Sequence, residues 1–447
     1  MTQTAASSEK LASLYPGHIA TLRRRHDEAL EKSGYDHLVI FGGAEHVAFL
    51  DDQAYPFKVN PHLKSWVPVV DNPNCFLIYT PGRKPVLLFF QPVDYWYKPA
   101  EDPTGYWVGE FEFHRLATLA DAKAHIPRSG RAAFIGEWDP SFGDWKLTNP
   151  NPQQLINRLH YDRAYKTEYE IECIRMATES GVRGHKAAEK AFRAGATEYE
   201  IHIEYLKATS HTEAELPYGN IVALNEHAAV LHYQHQERRR PATVHSFLLD
   251  AGTTYNGYAC DITRTWSAAD DDFAQLVASM DRLEQELVAE VRPGLDYREL
   301  HLLAHRKVGE VLKRHDLISV GADEAVRAGI TSAFFPHGVG HYLGLQVHDV
   351  GGFLADPEGN TIPKPEGHPY LRLTRVVEPG MVFTIEPGIY FIDTLLADLK
   401  SKDGKGVNWS RVDSFRKYGG IRIEDDVVVR EGGSENLTRK AWGEKTV

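Results

Sequence analysis

The sequence predicts an α/β (α+β) protein, with a small mixed α/β amino-terminal domain over residues 1–160 and a larger domain over 161–447. Three observations predict it. Helix and strand patterns both occur in the first third, a Pro- and Asn-rich stretch at 148–152 marks a boundary, and helices then precede a strand-rich half. The 447 residues, 42% of them hydrophobic, suffice to bury a sizeable core, divided between two domains.

The first domain is predicted to begin with a helix and to continue as a sheet. Residues 11–32 show helical spacing of apolar positions. Short runs rich in β-branched and aromatic residues predict strands. These strands are 37–41, 75–79, 86–90 and 132–135.

The second domain combines helices, strands and two irregular segments. Segment 355–372 is rich in Pro and Gly, and segment 392–418 is rich in Gly and charge, so both are predicted to be surface loops. The first could close over a pocket, be disordered or form a dimer contact. Helices are predicted at 166–193, 197–209, 272–291 and 297–314.

A predicted hairpin at 246–266 places two aspartates together. Asn256-Gly257 is a two-residue turn signal, and pairing about it sets Asp250 opposite Thr263. Asp261 lies two residues from Thr263 and therefore shares its face. Diagonal neighbours of this kind, roughly 7–8 Å apart at Cα, can bracket two metal ions about 3.5–4 Å apart.

Two glutamates occupy similar positions farther along. Residues 420–429 alternate as a strand, with Arg422 and Glu424 on one face. Glu386 ends the strand-like run 381–385, and Pro387-Gly388 then turns the chain. Both carboxylates are thus predicted to be held by strands.

His341 supplies a nitrogen ligand to the same set. It follows His337 by four residues, but the glycines between them predict a loop rather than a helical zinc motif. Four carboxylates and one imidazole suit two divalent ions, Mn²⁺ best, with Co²⁺ or Zn²⁺ as alternatives. The predicted ligands are Asp250, Asp261, His341, Glu386 and Glu424.

Each of these residues also has a structural explanation. The aspartates could be turn residues, the glutamates solvated carboxylates, and His341 a loop histidine among 22. The joint pattern favours a metal centre, because all five lie beside a strand edge or a tight turn.

The motifs resemble those of the pita-bread metallopeptidases. They are Leu-Asp-Ala-Gly at 249–252, Cys-Asp-Ile-Thr-Arg-Thr at 260–265, His-Gly-Val-Gly-His at 337–341, Ile-Glu-Pro-Gly at 385–388 and Gly-Ile-Arg-Ile-Glu at 420–424. Within that family, residues 49–52 and 55–61 resemble the amino-terminal domain of bacterial proline dipeptidases (prolidases), including the organophosphorus acid anhydrolases. The resemblance covers nearly the whole chain.

The resemblance implies roles for residues around the metals. Asp261 and Glu424 would bridge or nearly bridge the two ions, and Glu386 would carry the proton of the attacking water to the leaving nitrogen. His337 and His348 would stabilise the oxyanion. The residues implied to bind substrate are His232, Arg422, Arg372, Tyr218 and Asp52, with Asp52 reaching in from a neighbouring subunit.

Simpler explanations exist for this outer set as well. His348 could pair with Asp349, His232 could be an ordinary strand histidine, and Arg422 could only neutralise nearby acids. A fixed guanidinium nevertheless suits the planar carboxylate at the end of a dipeptide.

The implied activity is hydrolysis of Xaa-Pro dipeptides by a water activated between two metal ions. A tetrahedral phosphoryl centre resembles the intermediate of amide hydrolysis, so organophosphorus esters are a possible side substrate. The alternatives are an aminopeptidase P acting on longer peptides, and a non-catalytic binding protein of the same fold. The last alternative predicts lost ligands, whereas all five are present.

Composition limits the partners. A net charge of -12 and the lack of a recognisable nucleic-acid-binding motif argue against nucleic acid. No apolar run approaches a membrane span and the amino terminus lacks signal-peptide features, so a soluble cytoplasmic enzyme is expected. Three scattered cysteines argue against a disulfide framework. A homodimer is the implication of the family.

Overall fold

The computed structural model describes residues 5–147, 150–402 and 404–444. The chain divides into two compact units. The first comprises 1–173, 256–258 and 354–360, and the second comprises 174–255, 259–353 and 361–447. Two residues of the predicted boundary stretch, Thr148 and Asn149, lie outside the described residues. Among the described residues, no helix is long and apolar enough to cross a membrane.

The first unit contains a five-stranded sheet with the order β4-β3-β2-β1-β5. Strand β1 pairs antiparallel with β2 and parallel with β5, and β3 pairs parallel with β4. One side of the sheet packs on aromatic side chains that include Phe142 and Trp145. The elements are α1 (Ala5–Ser33), β1 (His37–Phe41), α2 (Pro61–Lys64), β2 (Phe76–Tyr79), β3 (Val86–Phe90), β4 (Glu112–Leu116), β5 (Ala132–Ile135) and α3 (Gln153–Arg163).

The four predicted strands of this unit are confirmed within one residue, but β4 and α3 were not predicted. Strand β4 lies at the sheet edge, and only Leu116 among its residues is buried, so it lacks the apolar run that identifies its neighbours. Helix α3 follows Pro152, where proline content had indicated only a linker.

The second unit holds most helices and several short sheets. Its sheets have the orders β10-β7-β6, β11-β14-β15, β12-β13 and β8-β9. Helix α4 begins just before the division between the units, and Tyr258 at the start of β9 is assigned to the first unit. The elements are α4 (Glu168–Ala194), α5 (Glu198–Thr209), β6 (Ile221–Leu224), β7 (Ser246–Asp250), β8 (Thr254–Tyr255), β9 (Tyr258–Ala259), β10 (Thr263–Ser267), α6 (Asp272–Glu290), α7 (Tyr297–Arg314), α8 (Ala322–Arg327), α9 (Ile330–Phe334), β11 (Val382–Ile385), β12 (Gly388–Tyr390), α10 (Asp393–Ser401), α11 (Trp409–Phe415), β13 (Gly420–Arg422), β14 (Asp425–Arg430), β15 (Gly433–Asn436) and α12 (Leu437–Trp442).

Two predictions for this unit were wrong. The segment 392–418 is not one surface loop, because it contains α10 and α11. The side chain of Asn408 caps α11 by accepting from the Arg411 N–H, and Leu396 and Val412 are fully buried. The predicted strand at 420–429 is broken at 423–424 into β13 and β14. The segment 355–372 has no helix or strand, as expected.

A buried ion network joins β14 to α12 and α6. Asp425 accepts from Arg264 at 2.6 Å and from Arg439 at 2.7 Å, and Arg439 also donates to Glu284 at 2.9 Å. The two guanidinium groups hold the pKa of Asp425 well below its usual value despite its burial. Removal of one partner would leave buried charge without compensation.

Candidate metal centre

The first two predicted ligands are positioned by the hairpin that the sequence indicated. Strands β7 and β10 pair with Asp250 opposite Thr263, which confirms the predicted register. Asn256 and Gly257 have φ values of 50° and 85°, the left-handed conformation that a two-residue hairpin turn requires. Asp261 lies in the short irregular stretch before β10. Both carboxylates therefore face the same side of the hairpin.

Glu424 is held at the break between β13 and β14 by Thr263. The two residues exchange backbone hydrogen bonds of 3.0 and 3.4 Å, and the Thr263 hydroxyl donates to Glu424 Oε2 at 2.6 Å. Strand β13 ends at Arg422 and β14 begins at Asp425, so Glu424 lies between the two strands. The break thus aligns the Glu424 carboxylate with the aspartates of the hairpin.

His341 and Glu386 are positioned by a contact between β11 and the glycine-rich loop that precedes His341. The Glu386 N–H donates to Val339 O at 2.8 Å, which joins the end of β11 to the glycine-rich loop. Gly340 is required here, because a Cβ at this position would lie 2.0 Å from the Thr384 carbonyl oxygen. His341 Nε2 lies 3.4 Å from Asp261, 3.6 Å from Glu386 and 4.0 Å from Glu424.

The electrostatics of this cluster favour bound cations. Burial raises the pKa of Asp261, raises that of Glu424 well above its usual value, and raises that of Glu386 to about 7; repulsion among the carboxylates adds to each shift. Asp250 Oδ1 is buried without a hydrogen-bond partner. The four carboxylates carry more negative charge than the nearby Arg422 can neutralise, so bound cations would stabilise them. Four carboxylates and one imidazole are also a donor set that fits two divalent ions.

The acids that follow Glu424 point to different environments. Asp425 belongs to the buried ion network described above. Asp426 accepts from the Asp261 N–H at 3.1 Å and from the Thr178 hydroxyl at 2.8 Å, so it supports the backbone of a predicted ligand. Glu424 therefore belongs to the candidate site, Asp425 to the ion network, and Asp426 to the contacts that hold the backbone of Asp261.

The cluster lies in a cleft of about 610 Å³, a volume typical of small-molecule sites. Predicted site residues from several parts of the second unit share its wall. They are His232, Asp250, Asp261, His337, His341, His348, Arg372, Glu386, Arg422 and Glu424. Tyr218 reaches the site through Asp261, to which its hydroxyl donates at 2.5 Å. Asp52 belongs to an exposed loop of the first unit, where it accepts from Gln53.

Arg422 is bonded to the site rather than only facing it. Its guanidinium donates to Asp250 at 2.6 Å, to the Tyr390 hydroxyl at 2.8 Å and to the Thr263 hydroxyl at 3.1 Å. These bonds use three of its five N–H donors. Arg422 therefore orients Asp250, and it retains two N–H groups that could meet a substrate. Arg372 is exposed on the cleft wall.

The two predicted oxyanion-binding histidines differ in their bonding. Burial lowers the pKa of both His337 and His348 to about 3, so both are neutral at pH 7. His337 Nδ1 donates to Gly338 O at 2.8 Å, and its Nε2 accepts from Tyr390 at 2.8 Å. Both nitrogens of His337 are thus already occupied. His348 packs edge-on against His341, with ring centroids 4.3 Å apart.

Sequence reasoning missed several residues that organise the site. Thr263 could have been found, because the predicted register placed its hydroxyl beside the aspartates. Tyr390 carried no signal, since its bonds to Arg422 and His337 span separate parts of the chain. A histidine pair at 301 and 305, four residues apart on α7, was also overlooked.

Comparison with known proteins agrees with this geometry. A family model described as "Metallopeptidase family M24" matches residues 172–431, and one described as "Xaa-Pro dipeptidase, N-terminal domain" matches residues 13–161. A curated Xaa-Pro dipeptidase of Stenotrophomonas maltophilia is 50% identical over 96% of this chain and 97% of its own. One of Aeromonas hydrophila is 49% identical, with coverages of 96% and 99%.

Solved structures support the fold. A zinc-substituted aminopeptidase P of Escherichia coli aligns over 96% of this chain and 95% of its own, with a TM-score of 0.73 and 22% identity. An aminopeptidase of Pseudomonas aeruginosa aligns over 97% and 96%, with a TM-score of 0.71 and 23% identity. The predicted fold class and the resemblance carried by the motifs are confirmed. With a family match across more than half its length and relatives of about 50% identity, this chain belongs to metallopeptidase family M24.

Proposed function

We propose that this protein is an Xaa-Pro dipeptidase that uses two divalent metal ions. The observation that carries the proposal is the convergence of Asp250, Asp261, His341, Glu386 and Glu424 in one cleft whose wall also bears Arg372. Relatives of 48–50% identity that bear this name span nearly the whole chain, which supports the same activity.

The five side chains would hold the ions, with Mn²⁺ the metal we propose. As the resemblance of the motifs implies, Asp261 and Glu424 would contribute to holding both ions; His341 Nε2 lies 3.4 and 4.0 Å from their carboxylate oxygens. Asp250 would hold one ion, and His341 with Glu386 the other. When bound, the two ions supply Lewis acidity, which acidifies a water molecule and polarises the scissile carbonyl.

Glu386 would move the proton. Its side chain is 15% exposed, against 7% for Asp261 and 3% for Glu424, whereas the similarly exposed Asp250 is bonded to Arg422 at 2.6 Å. An accessible carboxylate can accept the proton of the attacking water and deliver it to the leaving nitrogen. The nitrogen of an Xaa-Pro bond carries no hydrogen, so this protonation is needed before the proline can leave as a stable secondary amine.

Neutral imidazoles would stabilise the oxyanion. His348 faces the cleft and packs on His341, so its ring can donate to a carbonyl oxygen that gains negative charge. His337 would support the site mainly through the chain of hydrogen bonds from Arg422 to Tyr390 to its own ring. His232, on the same wall, would contact the substrate.

Recognition of the substrate's carboxylate would limit peptide length. Arg372 is exposed on the cleft wall, and Arg422 retains N–H donors beside the metal ligands. A guanidinium that pairs with the carboxylate of proline accepts a dipeptide and disfavours a longer chain, in which that position is an amide. This arrangement favours a dipeptidase over an aminopeptidase P, whose solved structures are 22–23% identical and indicate fold alone.

A homodimer would complete the pocket through Asp52. The residues Phe49, Leu50 and Tyr55, close to Asp52 in sequence, are 89%, 90% and 61% exposed. Exposed apolar groups in one loop commonly mark a protein contact. We propose that this loop packs on a second copy of the chain and presents Asp52 to its cleft.

The decisive experiment is hydrolysis of Ala-Pro, Leu-Pro and Ala-Pro-Ala by metal-stripped protein, before and after addition of Mn²⁺. We expect metal-dependent cleavage of the dipeptides alone, abolished in Asp261→Asn and retained in the exposed control Asp270→Asn. Cleavage of the tripeptide would instead indicate aminopeptidase P, and cleavage of none would refute the peptidase. A phosphotriester tested alongside would show whether the proposed side activity on organophosphorus esters exists.

A further inference from the structure

Three histidines meet beside the cleft but take no part in the proposed reaction. His301 and His305 lie four residues apart on α7 and therefore on one face of that helix. His368 belongs to the irregular segment 361–372 of the same unit. One ring nitrogen from each residue lies within 4.8 Å of the other two. We call these three residues the histidine cluster.

The rings of the histidine cluster stand nearly perpendicular to one another. The centroids of His301 and His305 are 4.7 Å apart at 84°, and those of His301 and His368 are 4.7 Å apart at 89°. His301 Nε2 and His368 Nδ1 are separated by 2.9 Å. Three nitrogens on a tetrahedral zinc ion, each at about 2.0–2.1 Å, are separated by about 3.3 Å, so small side-chain movements would suffice.

Among the described residues, hydrogen bonding within the histidine cluster is limited to the pair formed by His301 and His368. His301 is 1% exposed, and its Nδ1 has no hydrogen-bond partner. A neutral imidazole has one N–H and one lone pair. Whichever nitrogen of His301 carries the proton, the pair with His368 satisfies only one of them. The nitrogen of His301 that faces His368 is Nε2, so an ion bound by both residues would take the place of this single hydrogen bond.

The surroundings keep these imidazoles ready to bind a metal. Burial lowers the pKa of His301 to about 2 and that of His305 to about 3, with the neighbouring imidazoles adding to both shifts. Phe335 packs against both rings, with centroids 6.1 and 4.8 Å away. His305 Nδ1 is fixed by the Thr331 hydroxyl at 3.2 Å, the kind of outer contact that orients a histidine ligand.

We propose that His301, His305 and His368 bind a divalent transition-metal ion, best matched by Zn²⁺, at a site separate from the carboxylate-rich centre. Three imidazoles are a donor set suited to zinc, and a fourth position would be left for water. The two sites differ in chemistry, since one is rich in oxygen donors and the other offers nitrogen alone.

An ion bound to the histidine cluster would restrict the movement of the part of the cleft wall that contains Tyr370 and Arg372. His368 lies two residues before Tyr370 and four before Arg372, and both of these line the cleft. The ion would tie their segment to α7 and so restrict the position of Arg372. This consequence for substrate binding rests on the proposed function, whereas binding of the ion does not.

The test measures zinc bound per chain by equilibrium dialysis and elemental analysis, without any peptide substrate. We expect wild-type protein and the exposed control His235→Asn to retain one Zn²⁺ more per chain than His368→Asn. His368 is only half-buried in an irregular segment, so its replacement should not prevent folding. Equal zinc content in all three proteins would overturn the proposal.

A second measurement isolates the cluster from the carboxylate-rich centre. In an Asp261→Asn, Glu424→Gln background, Co²⁺ should still bind and give the visible absorption of a tetrahedral site, and His305→Asn should abolish it. If the double variant absorbed no more strongly than the same protein carrying His305→Asn as well, a separate site would be refuted. If the proposed dipeptidase activity were wrong, this spectrum would be unaffected, because it does not depend on peptide hydrolysis.

The fastening of the cleft wall is tested by hydrogen exchange of residues 361–372. Zinc should slow their exchange in the wild-type protein and leave it unchanged in His368→Asn. Exchange that is insensitive to zinc in both proteins would contradict the link between the cluster and Arg372.

Discussion

Replacement of Thr263 by valine would test how the site positions Glu424. Thr263 is fully buried; its hydroxyl donates to Glu424 Oε2 at 2.6 Å and accepts from Arg422 Nε at 3.1 Å. Valine keeps the shape but removes both bonds. Each bond involves a charged group and contributes about 1.5–3 kcal/mol, so we expect the free energy of unfolding to fall by about 3–6 kcal/mol.

The effect on metal binding should be more specific than the effect on stability. Loss of an outer partner of a ligand typically weakens metal affinity about 10–100-fold. Thr265→Val is the matched control: that hydroxyl, on the same face of β10, bonds only to the backbone of Arg422, at 3.0 and 3.1 Å. We expect this control to lose about 1–3 kcal/mol of stability and to keep its Mn²⁺ affinity.

Isothermal titration of metal-free protein with Mn²⁺, together with urea unfolding, would separate the two effects. If Thr263→Val and Thr265→Val bound Mn²⁺ with the same affinity, Thr263 would be a structural residue only, and the role assigned to its hydroxyl would be wrong. A weakened affinity in Thr263→Val alone, after correction for unfolded protein, is the expected result.

Three further predictions concern stability and close packing. Arg439→Met would leave the buried Glu284 without its hydrogen-bonded cation and Asp425 with Arg264 as its remaining guanidinium partner, and should lower the free energy of unfolding by about 3–5 kcal/mol. Lys440→Met, at an exposed pair, should cost less than about 1 kcal/mol, and similar urea midpoints for the two variants would contradict this. Burial lowers the pKa of His26 to about 4. Its contribution to stability is therefore complete above about pH 6.5 and is lost as the pH falls toward 4, to a limit of roughly 3 kcal/mol. When metal-free protein is unfolded at pH 7 and at pH 5, the free energy of unfolding should fall less between the two pH values for His26→Gln than for wild type. Equal falls would contradict the lowered pKa of His26. Gly340→Ala would force a Cβ to within 2.0 Å of a carbonyl oxygen and abolish activity, while Gly109→Ala, with nothing within 4 Å, should match wild type in both activity and melting temperature. An active Gly340→Ala enzyme would show that the loop can relax.

Local signals made much of the site predictable. The Asn256-Gly257 turn fixes the hairpin register, so the position of Asp250 opposite Thr263 follows from short-range geometry alone. Glu386 could be placed in the same way, because it lies between an apolar strand and Pro387. In both cases a few adjacent residues determine where the carboxylate points.

Long-range contacts explain what the sequence did not reveal. The break at 423–424 depends on backbone bonds from Glu424 to Thr263, a residue 161 positions away. The chain of bonds from Arg422 through Tyr390 to His337 likewise joins three separate segments. The helices within 392–418 were missed because glycine and charge outweighed the apolar positions that pack inward, such as Leu396 and Val412.

The acidic triplet Glu424-Asp425-Asp426 makes this part of the chain intolerant of a change in length. Each carboxylate occupies its own buried environment: the candidate metal centre, two guanidinium groups, and the backbone of Asp261. A one-residue insertion or deletion would shift every acid into its neighbour's environment at once. A substitution would disturb the environment of one acid, whereas an insertion or deletion would disturb all three and so damage catalysis and folding together. Homologous enzymes should therefore align without gaps from β13 through β14, even where the surrounding sequence has diverged.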